Sequence, residues 1–547
     1  MRKKLYMSLL ICTGIVARIA AEDCSCQATS KTFFTTRMQF QVASPELLSS
    51  WRGQQGLDDD ECSRSTFQAL VFGGKSTQAT KLGRYFMPFC SATAATTSVD
   101  APTNNQLFVQ NFNIASVQFS SPAINALFPT PGLVDPFSSI VSVKPQQSIV
   151  ALGLTYQYNF CWHSMPYWLR INAPIMHVRN SMNLCESVLT TSVYSLAPVP
   201  GTNLVDQQPN MQSALSQCQW LYGKIDNKIH AQTKLAFIQI QCGELVLDSD
   251  CYYFSPYLGV TIPTGTTPKG EYVFEPVAGN GNHWGLFWGF TSEMLFGDIW
   301  FDAFEFGGAI DLNMEYLFKK TQRRSFDLKN SPWSRYNELY ANAAQANEVR
   351  ADFLAGTLSQ LQAIFIATPG INLLTQKVSV NPGFNLTANL ALTLVQKCST
   401  GFNGEVGYNF YAKQAECLSL ACKNFNADQA ALKDQVGTGF ANQIRTITEN
   451  TLTNEATTAN LIINGQLNTA GAMASYQRSI IQPSDLDLSS AAHPATLSNI
   501  VYGVVGYHWD SCSNPMAVSL GASYEFSLAT NTTLNRWLLW GRWGISF

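Results

Sequence analysis

Arg536, Trp537, Leu538, Leu539, Trp540, Gly541, Arg542, Trp543, Gly544, Ile545, Ser546 and Phe547 close the chain, and their order decides the fold. Taken alternately, Trp537, Leu539, Gly541, Trp543, Ile545 and Phe547 share one face. Arg536, Leu538, Trp540, Arg542, Gly544 and Ser546 share the other. A period of two is the side-chain period of a β-strand. One face is uncharged and ends on an aromatic, while the other carries two arginines, so the strand meets two different environments.

The same pattern recurs upstream. Val150, Leu152, Leu154, Tyr156, Tyr158 and Phe160 alternate with small or polar residues. So do Phe304, Phe306, Gly308, Ile310, Leu312, Met314, Tyr316 and Phe318, set against Glu305, Asp311, Asn313 and Glu315. Phe384 to Leu394, Phe402 to Phe410 and Met516 to Phe526 follow, and near the start Phe34, Thr36, Met38, Phe40 and Val42. Most of these runs reach ten residues or more, the length of a tilted membrane strand rather than of a soluble one. Of the 547 residues only 13% are charged and 12% are aromatic, with a net charge of -3. That balance excludes bulk attraction to nucleic acid, and it leaves too little charge to clothe a water-facing surface of this size.

No run approaches the ~20 apolar residues of a membrane helix, so any spanning structure must be a closed barrel. The N-terminus supplies export. Arg2, Lys3 and Lys4 precede a short apolar run and Ile19, Ala20, Ala21, so residues 1–21 read as a signal peptide. Residues 22–547 then form one barrel domain. Short turns are expected at 161–166, 296–298, 398–401 and 509–514, and long loops at 180–229, 320–371 and 418–498. Short turns on one side and long loops on the other is the arrangement of membrane barrels. The fold expected is therefore all-β, a transmembrane antiparallel β-barrel of about fourteen strands (12–16). Residues 76–136 place no clear strand and are expected on the short-turn side or in the lumen. The long loops read as partly helical, from the spacing of Val436, Phe440, Ile444 and Ile447 and of Leu354, Leu358, Leu361 and Phe365.

The terminal strand resembles the last strand of Gram-negative outer-membrane β-barrel proteins, porin-like in layout, with Trp543, Ile545 and Phe547 in the place of their assembly signal. The glycine of that signal is displaced, since Arg542 holds its place and Gly541 lies beside it. No narrower family is identified. The resemblance implies an outer-membrane location, contact with membrane lipid and lipopolysaccharide, handling by the barrel-assembly machinery and a possible homo-oligomer. Passage of small solutes is the activity expected, with a sealed barrel that anchors surface loops as the alternative.

On this assignment Arg37, Arg170, Asp311, Glu315, Glu405, Glu525, Arg536 and Arg542 face the lumen, where opposed rows of charge can screen polar solutes. Lys319, Lys320, Arg323, Arg324, Lys329 and Arg335 cluster where a strand would emerge, as candidates for lipopolysaccharide phosphates. Thirteen cysteines follow the signal peptide. Export favours disulfides, with Cys185 and Cys218, Cys417 and Cys422, and Cys398 and Cys512 as the candidates. The six histidines adjoin no nucleophile elbow, and no Cys or His pairs stand at zinc-site spacing. Neither catalysis nor a metal or cofactor is therefore expected.

Overall fold

In the computed structural model, residues 30–38, 63–87, 138–163, 165–190, 211–249, 252–300, 303–329, 333–336, 338–342, 368–420, 430–432, 481–509, 514–527 and 532–547 are described, with short stretches besides. Twelve strands close on themselves. They are β1 (Ser63–Thr77), β2 (Gln146–Trp162), β3 (Met165–Ser181), β4 (Phe237–Glu244), β5 (Tyr252–Pro263) and β6 (Gly285–Ile299). Then come β7 (Phe304–Leu317), β8 (Gly383–Gln396), β9 (Thr400–Lys413), β10 (Thr496–Trp509), β11 (Met516–Phe526) and β12 (Asn535–Ser546). Each pairs antiparallel with the next, and β12 returns to β1 with Val71 opposite Gly541. Closure leaves no unpaired edge, which is the condition for lying in hydrocarbon.

The sheet holds fourteen strands, but His230–Leu235 and Leu247–Ser249 flank the ring rather than join it. The expected count of about fourteen is thus corrected to twelve. Part of the error lies at the N-terminus. Residues 34–38, read as the start of a strand over 34–42, have no strand partner, and Arg37 and Met38 meet residues of the barrel interior. Phe33 and Phe34 are both buried, so both faces of this segment meet protein, as two adjacent phenylalanines would require.

Along β2 burial alternates without a break from Ile149 to Asn159. Val150, Leu152, Tyr156 and Tyr158 face out, as do Leu258, Ile310, Leu390, Val406, Val505, Leu520 and Leu539 from other strands. Burying such a side chain is worth about 1.5–3 kcal/mol, so a belt of them signals an apolar surrounding. Trp543 and Phe547 belong to this outer face.

All five short turns lie at the end where the chain stops. They fall between β2 and β3, β4 and β5, β6 and β7, β8 and β9, and β10 and β11. The turn expected at 296–298 proves to be a bulge within β6, where the register shifts between Leu295 and Gly297 and Gly297 takes φ 144°. The described parts of the long connections gather at the other end as a cap. Its helix α1 (Ala79–Phe86) belongs to the β1–β2 connection and so lies at the cap end, away from the short turns. Phe86, Trp220, Phe274, Trp333, Tyr336 and Ile371 share one apolar core there, and Phe326, Leu374, Val378, Ile481 and Leu486 a second. Glu338–Tyr340 is a strand, paired with Thr368–Pro369 and Ala431–Leu432, in a connection expected to be partly helical. Leu354, Leu358, Leu361, Phe365, Val436, Phe440 and Ile444, and the signal peptide, lie outside the described residues, while Ile447, read as the end of a helical stripe, falls in a short strand paired with Thr451–Leu452.

Candidate pore and the segment inside it

The lumen is lined by the second face of every strand. Four of its aromatics lie against the wall, each opposite a glycine on the neighbouring strand. Trp540 is paired with Gly521, Trp168 with Gly243, Phe287 with Gly259 and Tyr502 with Gly407. A Cβ on Gly521 would come 2.2 Å from Trp540, and one on Gly407 2.3 Å from Tyr502. Glycine here admits close approach and keeps the rings out of the bore.

Charge is divided across the ring. Arg536 and Arg542 stand on β12 and Arg170 on β3, two strands beyond β1. Asp311 and Glu315 stand on β7, Glu405 on β9 and Glu525 on β11. All seven are buried. Where the sectors meet, Arg536 Nε donates to Glu525 Oε2 at 2.5 Å. Deeper, Arg170 donates to Gln157 at 2.8 Å and lies 4.7 Å from the Trp168 ring. On the acidic side Tyr502 donates to Glu405 at 2.6 Å and Thr261 to Glu315 at 2.8 Å.

Arg37 is the eighth sequence candidate, and it belongs to no strand of the wall. It rides on the inner segment, where Nη2 donates to Asn409 Oδ1 at 2.5 Å and its carbonyl accepts from Arg536 Nη2 at 3.4 Å. Among the described residues, Arg37 Nε and Nη1, Asn389 Oδ1, Asn409 Nδ2, Ser519 Oγ, Ser523 Oγ and Arg536 Nη1 are buried with no protein partner. Polar atoms so placed cost about 1–3 kcal/mol each unless water reaches them.

The inner segment hangs from the cap. Ser30 Oγ donates to Asp327 at 2.8 Å, Thr32 N to Ser490 O at 2.9 Å, and Lys413 Nζ to Thr35 Oγ1 at 2.8 Å. Phe34 packs edge-on against Tyr85, Phe274 and His493, with centroids 5.1–5.9 Å apart. A cavity of about 40 Å³ remains beside it, lined among others by Phe33, Thr35, His283, Gln322, Arg324 and Glu416.

Buried ionic groups clamp this mouth. Glu416 lies 3.4 Å from Arg324 and 3.3 Å from Lys413. Burial alone raises its carboxyl, but Lys413, Arg324 and His493 outweigh burial and hold it at about 2. Burial lowers His493 to about 3 and His283 to about 4, so both rings are neutral near pH 7. Arg335 pairs with Asp327 at 2.6 Å, both essentially inaccessible.

The basic cluster expected at the surface therefore divides. Lys319 and Lys329 are exposed, with Lys320 and Arg323 half-buried. Arg324 and Arg335 are corrected to interior clamps, since carboxylates reach them only inside the cap. Cys185 and Cys218 stand as separate thiols, and the Cys185 thiol turns to Asn183 O at 3.7 Å. Cys398 and Cys417 are free, while Cys422 and Cys512 lie outside the described residues. Among the described residues no His, Cys, Asp and Glu group could hold a metal. The sequence reading missed Ser30, Asp327, Glu416 and His493. Only the neighbouring Phe33 and Phe34 hinted that the N-terminal run was no membrane strand.

No family model and no curated protein sequence matches the chain. Among solved structures, the chain resembles an outer membrane channel from Pseudomonas putida F1 at 7% identity and TM-score 0.32, covering 90% of this chain and 100% of that one. The beta domain of the Bordetella autotransporter Brka follows at 6% and 0.30, with 88% and 100% covered. The CymD monoaromatic hydrocarbon channel gives 7% and 0.25, with 97% and 96% covered. These likenesses concern barrel architecture alone.

Proposed function

We propose that this chain is an outer-membrane channel for small polar solutes, held closed in this state by residues 30–38. The observation that carries the reading is a polar lumen with basic and acidic sectors inside an apolar wall. A field across a narrow bore orders polar solutes and turns apolar ones away. Export by a cleaved signal peptide, long connections facing outward and the C-terminus facing the periplasm complete the proposal. It assigns transport and no catalysis.

Liposome swelling with neutral sugars of increasing size tests it. The chain lacking residues 30–38 admits the smallest sugars, and the full chain admits them far more slowly. A deleted barrel that keeps its heat-modifiable gel migration yet admits nothing overturns the channel. That outcome favours a second reading, a barrel that anchors a surface cap, which the two ordered apolar cores of the cap support. Lys319, Lys320 and Lys329 remain as contacts for lipopolysaccharide phosphates. Replacing all three by Gln lowers the detergent resistance of cells on this account, and unchanged resistance removes the contact.

A further inference from the structure

We propose that the cavity beside the inner segment is a binding site for a small hydroxycarboxylate, which Arg324 takes by its anionic end and Gln322 and Asn385 by its hydroxyl. The strands that meet there deliver these groups. Gln322 and Arg324 stand two residues apart on the strand Lys320–Ser325, so the side-chain period of two turns both toward the cavity. Tyr411 and Lys413 share a face of β9 by the same rule, and Asn385 on β8 lies opposite Lys413. Thr35 closes the cavity from the inner segment. The site therefore lies where the wall meets the cap, at the end of the lumen.

One side of the cavity is a donor with charge to spare. Arg324 is 1% exposed. Its Nη2 reaches Glu416 Oε2 at 3.4 Å, while Nε and Nη1 have no protein partner. The other oxygen of Glu416 accepts from Lys413 Nζ at 3.3 Å, so two cations of the lining share one carboxylate. His283 is neutral near pH 7, because burial lowers it to about 4. Glu275 also acts on Arg324, but it stands outside the lining. Its oxygens accept from the backbone N–H of Lys269 and Glu271 at 2.8 and 2.6 Å. A buried planar guanidinium with open donors and surplus positive charge matches a carboxylate.

The other side is an acceptor held in place. Gln322 Nε2 donates to Gly281 O and to His283 Nε2, both at 2.8 Å. His283 Nδ1 carries the ring proton, since its own partner at 2.8 Å is the carbonyl of Phe318, which can only accept. Both amide protons of Gln322 are thus spent, and Oε1 is left. Gln322 Oε1 and Asn385 Oδ1 are buried without a protein partner. Buried acceptors of this kind call for a donor, and an ammonium would add to the surplus positive charge, so a hydroxyl suits them better. The volume is about 40 Å³. One water takes roughly 10–15 Å³ on this measure, so the ligand has only a few non-hydrogen atoms. Water is the rival occupant, and it brings no charge to set against Arg324. The site goes beyond the channel reading and does not depend on whether the barrel conducts.

Saturation-transfer NMR tests it on the full chain, refolded in uncharged detergent without other carboxylates or phosphate. Glycolate is titrated against glycolamide, its neutral isostere. Glycolate is expected to saturate, with glycolamide at least about ten-fold weaker, the scale of one hydrogen bond to a charged group. Arg324→Gln is expected to weaken glycolate by as much. That change also strips Glu416 of a partner, so Val277→Phe serves as a second variant. It fills the cavity from its lining, leaves every charge in place and is expected to cause the same loss. Heat-modifiable migration reports the folding of both. No saturable glycolate signal would mean that water alone occupies the cavity, and would overturn the site. Equal affinity for glycolamide overturns it too, as does glycolate binding untouched by Val277→Phe in a folded barrel. Liposome swelling reads the channel separately, so a failed channel and a failed site are told apart.

Discussion

Strand β2 buries and exposes its residues by turns from Ile149 to Asn159, whereas in the cap Arg324, Ser325, Phe326, Asp327 and Leu328 are buried in succession. The wall separates two media, so each strand carries one face for each, and the separation is written every second residue. The cap segment is enclosed on all sides. Its neighbours, Glu416, Ser490, Thr375 and Leu486, come from distant parts of the chain. Wall stability rests on backbone pairing and the surrounding apolar medium; cap stability rests on buried polar clamps between distant residues.

Breaking a clamp separates the two regions most sharply. Arg335→Ala leaves Asp327 buried without its partner, which costs about 3–5 kcal/mol. Limited proteolysis is expected to cut the cap while the barrel keeps its heat-modifiable migration. Loss of both together would mean that wall and cap fold as one unit.

In the wall, Gly521→Leu drives a side chain into Trp540 and costs about 1–3 kcal/mol through overpacking. Denaturation midpoints fall, and the cap's protease resistance stays. A midpoint equal to that of the native chain would mean that Trp540 is free to swing into the bore.

Acid acts on the cap. His493 and His283 have folded values below the ordinary 6.5, and Glu416 lies below the ordinary carboxylate value, so for all three the unfolded state binds protons first as pH falls. Stability from the histidines is complete above about pH 6.5 and is lost toward about 4 for His283 and about 3 for His493. That from Glu416 is lost between about 4.5 and 2. Protease sensitivity of the cap should rise through this window. His493→Gln should flatten the part above pH 4, and an unchanged profile would acquit this histidine.

The smallest effect belongs to the short turns. Lys397 and Asp298 pair at 2.6 Å but are each about one-third exposed, and such pairs are worth roughly 0–1 kcal/mol. Lys397→Ala is expected to leave the midpoint within error, and a larger loss would give the turns a role in closure.

The same comparison explains what was legible in the sequence. β11 and β12 were readable almost to the residue, because period two is local and the lipid face is uniformly apolar. Arg170, Asp311, Glu315, Glu405, Glu525, Arg536 and Arg542 could be placed by counting from such strands. Arg324 and Arg335 could not, since nothing near them in sequence announces Glu416 or Asp327. Phe34, Thr36 and Met38 misled because a segment lying inside the bore can alternate as a wall strand does.

Single-channel conductance in planar bilayers, comparing the full chain with the chain lacking residues 30–38, tests the central claim most directly. The account predicts a quiet full-length barrel and stable ohmic steps once the segment is removed. Equal conductance from the two, or silence from a folded barrel lacking the segment, would contradict it.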